Sequence, residues 1–272
     1  MDPLTSAPDI FHTPRRASSK RRFDVIVAVP ARNEEELIGA SLTSVVNASI
    51  HARHLIDRVA FVAVTDGCND RTGDIARSVF SAQPLWSVTE CDLGNVALVR
   101  SLGVQVGRKL LGSARSDRIW IASTDADTKV PGDWLLRQLA AASRGIRALA
   151  GAVDIESFDG LPPIAPKLFA ETYTDLLPAD GDHPHVHAAN LGVRLDAYDA
   201  AGGWGRLARS EDRDLWTRLQ QTGARLESPS SLRVVTSGRS IGRVPGGFAE
   251  CLRQQVRCWE NRESHDERRR SA

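Results

Sequence analysis

Apolar runs and amphipathic stripes alternate along the first half of the chain. Residues 23–30 are apolar at every position except Asp24, the pattern of a parallel strand covered on both faces. Leu37, Ile38, Leu42, Val45 and Val46 then recur at helical spacing. Asn33 is the expected cap of that helix, and Glu34, Glu35 and Glu36 suit its positive end. A strand over 59–64, a turn over 65–72 and a helix over 73–80 follow. A strand over 86–90, a helix over 95–110 that tolerates Gly103 and Gly107, and a strand ending at Thr124 complete the series. This alternation predicts an α/β fold built on an open, doubly wound, mostly parallel sheet with its functional loops at one edge.

The second half is less regular. A helix over 133–144 and a strand over 146–155 lead into a long, Pro-rich stretch, 156–186, in which no single period persists. Helical spacing returns over 211–222, a strand is expected at 232–236, and residues 248–259 again have helical spacing. The expected organisation is a disordered basic arm over 1–22, one domain over 23–260 divided into halves at 130, and a charged flexible tail over 261–272.

Composition narrows the possible functions. The formal charge of +1, with acidic and basic residues intermixed, leaves no nucleic-acid footprint. The four cysteines, Cys68, Cys91, Cys251 and Cys258, form no close metal-binding pair and point to a reducing compartment. No run of roughly twenty apolar residues is present to span a bilayer, so a cytoplasmic location is expected, with peripheral membrane contact left open.

Chemistry concentrates where apolar runs stop. The run from Ile119 ends at Asp125-Ala-Asp127, two carboxylates that repel each other unless a cation lies beside them, and hard oxygen ligands suit Mn²⁺ or Mg²⁺. Asp66, at another strand end, can accept hydrogen bonds from a nucleobase or ribose, whereas Asp70 suits a helix cap. Asp212 opens the helix beginning Glu211-Asp-Arg-Asp, where the helix dipole favours its ionised form. Gly202 and Gly203 permit close backbone approach, and Trp204 offers a flat face to a sugar or lipid or packs in the core. Alternate histidines at 183, 185 and 187 admit a zinc, loop or acceptor-contact reading. The Gly-rich loop with Arg239 and Arg243 suits closure over a diphosphate.

Several of these pieces occur together in a known order. Residues 29–35 (Val-Pro-Ala-Arg-Asn-Glu-Glu), the Asp66 turn, the segment 94–103 with Arg100, Asp125-Ala-Asp127, Gly202-Gly-Trp204 and Glu211-Asp212 resemble the motifs of family 2 glycosyltransferases with the A-type fold. The resemblance spans residues 23–248. It implies metal-dependent, inverting transfer of a sugar from a nucleotide-diphosphate sugar to a small-molecule, lipid-carrier or oligosaccharide acceptor. It also implies donor contacts at Pro30, Arg32, Glu34, Asp66, Arg100 and Asp125, metal ligation by Asp127 with Asp125, and Asp212 as general base. His187, Asn190, Trp204 and Glu211 are the acceptor-side candidates, with Asn190 alternatively a brace of its loop. Thr65, Cys68 and Ser101 depart from the commonest family pattern and leave the donor nucleobase open. Two other readings are a catalytically silent nucleotide-sugar-binding protein and a haloacid-dehalogenase-type phosphatase using Asp125 and Asp127.

Overall fold

The first strand, β1 (Phe23–Ala31), is buried along almost its whole length and pairs in parallel with β2 (Ile56–Asp66) and β4 (Ile119–Ser123). Its one acidic residue, Asp24, is held by Arg58, whose Nε and a terminal nitrogen donate to the carboxylate at 3.0 and 2.7 Å. The structure is a computed structural model that describes residues 22–238 apart from 113, 159 and 208, together with 253, 254 and 256–260. The expected N-terminal arm and C-terminal tail therefore lie outside the described residues, apart from Arg22.

Helix α1 (Ile38–His51) follows β1, and β2 leads to α2 (Thr72–Phe80) and β3 (Trp86–Cys91). Helix α3 (Val96–Leu111) then returns the chain to β4. Beyond β4 come β5 (Thr128–Lys129), α4 (Trp134–Ser143), β6 (Ala148–Ala150), β7 (Ala152–Ile155) and α5 (Ala165–Thr172). The chain ends through β8 (Leu191–Arg194), α6 (Leu195–Ala200), α7 (Glu211–Gln221), β9 (Leu226–Glu227) and β10 (Arg233–Thr236). The main sheet has the order β3-β2-β1-β4-β8-β6-β9, and β5-β10-β7 form a second, smaller sheet.

One face of the main sheet packs its apolar side chains with those of α1, α2 and α4; the other does so with α3, α6 and α7. The glycines of α3 are explained by this packing. A Cβ at Gly107 would come 2.4 Å from Ile26 Cγ2, and one at Gly103 would lie 3.1 Å from Ala28 Cβ, so the helix sits against β1 only because these side chains are missing. Asn95 caps α3 by accepting from the Leu98 N–H at 3.1 Å.

Two expectations change. Asn33 does not cap α1: it has φ 52°, its side-chain oxygen accepts from the Asn69 N–H, and the helix begins at Ile38. Glu34, Glu35 and Glu36 consequently lie in the preceding turn rather than in the first helical turn. The main sheet is mostly parallel, as expected, with β8 antiparallel to both β4 and β6. The single strand expected over 146–155 is two strands in different sheets, parted at Gly151.

That parting is built around Asn190, which is 0% exposed. Its amide nitrogen donates to the carbonyls of Ala152 and Leu232, both at 2.9 Å, and its oxygen accepts from Trp134 Nε1 at 2.9 Å. A Cβ at Gly151 would lie 2.1 Å from that amide nitrogen. Asn190→Ala strands a buried indole N–H and weakens the tie between sheets. It is expected to cost about 2–4 kcal/mol, read from the urea-unfolding midpoint, and a loss below about 1 kcal/mol would contradict the bracing role.

Candidate active site

The chain builds β1, β2 and β3 to one side and then returns to place β4 on the other side of β1. The strand order thus reverses between β1 and β4, and the crevice beyond their carboxyl ends is where open α/β sheets bind ligands. Pro30 and Arg32 from the end of β1, Asp66 from the end of β2 and Asp125 beyond β4 all arrive at this edge.

Arg100 occupies the centre of the polar side of the crevice. It extends from α3, is 4% exposed, and donates to Asp125 Oδ1 at 2.5 Å and to Ser123 Oγ at 2.9 Å. Its Nε lies 3.7 Å from Glu211 Oε1, and its guanidinium lies over the Trp204 ring at 5.5 Å. Burial disfavours its charge, but Asp125 and Glu211 outweigh that effect and hold its pKa above the ordinary arginine value.

Asp66 is 5% exposed and largely committed to the backbone. Its carboxylate accepts from the Leu93 N–H at 2.5 Å and from the Gly94 N–H at 3.2 and 3.1 Å through its two oxygens. It therefore fixes the loop between β3 and α3, a structural role that a strand-end aspartate does not disclose in sequence. Its Oδ2 also faces exposed Arg32 at 3.9 Å. Asp70 behaves as expected of a cap, accepting from the Thr72 N–H at 3.0 Å. Glu34 is buried in the adjoining turn, where its N–H donates to Thr72 Oγ1 at 2.7 Å. Cys68 fills that turn, its sulfur contacting the Asn33 N–H at 3.3 Å.

The smaller sheet positions Asp127. Immediately after it, β5 pairs with β10, and Thr128 Oγ1 donates to Thr236 Oγ1 at 2.9 Å. Thr236 Oγ1 in turn lies 3.3 Å from Asp127 Oδ1, while the Ser237 N–H donates to the Asp127 carbonyl at 3.2 Å. Among the described residues no cluster of three or more His, Cys, Asp or Glu side chains is arranged to hold a metal ion. The pair Asp125 and Asp127 nevertheless fits Mn²⁺ or Mg²⁺. Both residues are half-buried, and Asp125 Oδ2 lies outside the bond to Arg100. Such ions use one or two carboxylates and complete their shell with phosphates and water.

Asp212 is held at the start of α7 by the N–H of Ala188 at 3.1 Å and that of Arg213 at 2.8 Å. The helix start does not dominate its ionisation. Burial pushes the Asp212 carboxyl above the usual aspartate value, and burial likewise raises Glu211, with Arg100 opposing both shifts.

Three of the four acceptor-side candidates are buried. Asn190 is fully buried with its amide engaged in the brace between sheets, so it presents nothing to an acceptor. Trp204 is 7% exposed and packs among core residues against Arg100, leaving no open face. Glu211 is buried and directed to Arg100. His187 stands beside the Ala188 anchor of Asp212, in a row with His185 and Tyr173. Arg239 and Arg243 lie outside the described residues.

A switch-point crevice floored by Asp125-Ala-Asp127, beneath a second small sheet, defines an A-type glycosyltransferase fold. The chain belongs to glycosyl transferase family 2, whose family model matches residues 26–201. A comparison with curated proteins finds no match. Among solved structures, TarS 1–349 of S. aureus in complex with UDP-GlcNAc is similar with a TM-score of 0.59 at 13% identity, over 84% of this chain and 61% of that one. Mannosyltransferase PcManGT from Pyrobaculum calidifontis, in complex with GDP-Man and Mn²⁺, gives 0.58 at 18% identity over 94% and 64%. The chain thus spans slightly under two thirds of the length of these structures. No helix among the described residues is long and apolar enough to cross a membrane.

The histidine row generates a pH prediction. Burial lowers the pKa of His183, His185 and His187, that of His187 from 6.5 to about 4. A lowered pKa means that the unfolded chain takes up protons first, so the stability contribution is complete above pH 6.5 and is lost as pH falls toward 4. Melting temperature is expected to fall across that window, with a shallower fall in His187→Gln. Identical slopes would remove the row as the cause.

Proposed function

We propose that the protein is a metal-dependent, inverting glycosyltransferase that moves a sugar from a nucleotide-diphosphate sugar to an acceptor hydroxyl, with Asp212 as the general base. The observation that carries this reading is the pair of acidic sites on either side of Arg100. Asp125 and Asp127 lie at the strand-end crevice, and Asp212, with its raised pKa, opens α7. Family membership supports the transferase class.

Pro30 and Arg32 line the nucleoside end of the crevice, and Asp66 faces Arg32 there while it fixes the adjoining loop. Asp125 and Asp127 would hold the divalent cation, which when bound would neutralise charge on the diphosphate. Arg100 keeps the carboxylates around it compensated, so they can crowd the site without mutual expulsion. As the acceptor oxygen bonds to the anomeric carbon from the face opposite the nucleotide, its proton passes to Asp212 and the bond to the nucleoside diphosphate breaks. Inversion requires only this one base and no covalent sugar intermediate. Burial of Asp212 favours the proton transfer by bringing its affinity for protons nearer the working pH. We propose Mn²⁺ or Mg²⁺ as the ion; GDP-Man with Mn²⁺ in PcManGT is consistent with that choice.

Two variants separate the roles. Asp127→Asn is expected to abolish the Mn²⁺ dependence of UDP and GDP binding measured by calorimetry. Asp212→Asn leaves that binding intact and lowers single-turnover transfer by roughly 10²-fold or more. Equal nucleotide affinity with and without Mn²⁺ in the wild-type protein, or full transfer by Asp212→Asn, contradicts the corresponding assignment.

A further inference from the structure

A cavity of about 420 Å³ opens along α7 and is lined in part by Asp182, His183, Arg213, Trp216, Gln220 and Glu227. Its volume lies within the range of small-ligand sites, and its lining mixes one large aromatic with groups that donate and accept hydrogen bonds. One wall is the 182–186 segment, which continues to Ala188, whose N–H holds Asp212. The other is α7 itself, on which Trp216 is four residues beyond Asp212 and therefore one turn away on a neighbouring strip. Both walls lead toward the proposed base.

Several lining groups have unused capacity. The Arg213 guanidinium, the Gln220 amide and Trp216 Nε1 make no hydrogen bond among the described residues, and Trp216 is only partly buried against the core. His183 is 4% exposed, and its Nδ1 accepts from the His185 N–H at 3.2 Å, which leaves the neutral ring's proton on Nε2. That Nε2 has no partner among the described residues. Asp182 and Glu227 each accept only one hydrogen bond there, from Ser228 and Arg144, leaving further acceptor sites. A flat indole beside dense donors and acceptors of mixed charge matches a pyranose, which has apolar ring faces and an equatorial belt of hydroxyls. A lipid tail would leave these polar groups unpaired, and a phosphate would meet two carboxylates.

We propose that this groove is a carbohydrate subsite, holding a sugar unit of the acceptor next to the one whose hydroxyl Asp212 deprotonates, so that the acceptor is an oligosaccharide or glycosylated molecule. The inference rests on the assignment of Asp212 as base. Saturation-transfer NMR on the full chain, with cellobiose, lactose, mannobiose and chitobiose as probes, tests it with the nucleotide crevice empty and filled by UDP or GDP with Mn²⁺. The expected result is transfer to at least one disaccharide, retained when nucleotide is bound and weakened at least about fivefold by Trp216→Ala. If Trp216→Ala alters the melting temperature, Gln220→Ala and Arg213→Ala, which change exposed side chains, give the same reading. Absence of transfer to all four probes, or transfer unaffected by these variants, overturns the proposal. Calorimetry with nucleotide on the same samples keeps the two readings apart. Nucleotide binding without disaccharide binding rejects the groove alone, and disaccharide binding without nucleotide binding rejects the transferase reading while retaining the groove.

Discussion

The buried guanidinium of Arg100 is the interaction on which the crevice depends. It bridges Asp125 and Ser123 at the end of β4, faces Glu211 at the start of α7 and lies over Trp204, so one side chain from α3 ties together elements from distant parts of the sequence. A fully buried cation is costly unless its partners are charged and well placed. Here one partner, Asp125, is also a carboxylate of the proposed chemistry, and Asp125 and Glu211 would repel each other without the guanidinium. Rigidity of the site and its charge balance therefore come from the same contact.

The two sheets extend that arrangement to the metal pair. Residues 124–127 leave the main sheet and enter the smaller one through β5, and Thr128, Thr236 and Ser237 fix Asp127 there while Asp125 remains tied to Arg100. Asn190 holds the sheets together a short distance away by joining Ala152, Leu232 and Trp134. Asp125 and Asp127 are thus spaced by a tight turn, closed by the Thr128 N–H donating to the Asp125 carbonyl at 3.1 Å, and the turn is anchored at its two ends by backbone pairing in different sheets. Such pairing provides the preorganisation that electrostatic catalysis requires.

The first half of the fold was legible because its strands are buried on both faces and its helices have clear stripes, as β1, β2 and α1 illustrate. The second half was less so. Strand β8 is only four residues long, and the break at Gly151 depends on Asn190, distant in sequence, which local periodicity cannot register. Among site residues, Asp125, Asp127 and Asp212 were visible as acidic residues at element ends. The backbone commitments of Asp66 were not, and the choice between acceptor contact and bracing for Asn190, or between open face and core for Trp204, was not settled, because each depends on contacts made only after the sheets assemble. The effect of the α7 start on Asp212 was outweighed by desolvation, a quantity absent from linear sequence.

The stability of Arg100→Gln as a function of pH tests the central claim most directly. Without the guanidinium, Glu211 and Asp212 lose an opposing charge that now restrains the rise in their pKa values. Carboxylates with folded-state pKa values above their unfolded ones destabilise the fold when ionised, and that penalty is relieved as pH falls through the folded values. The account predicts a deficit of about 3–5 kcal/mol at neutral pH that shrinks as the solution is acidified, relative to wild type at each pH. A deficit that is constant with pH, or none at all, would contradict the claim that Arg100 holds the site together by charge.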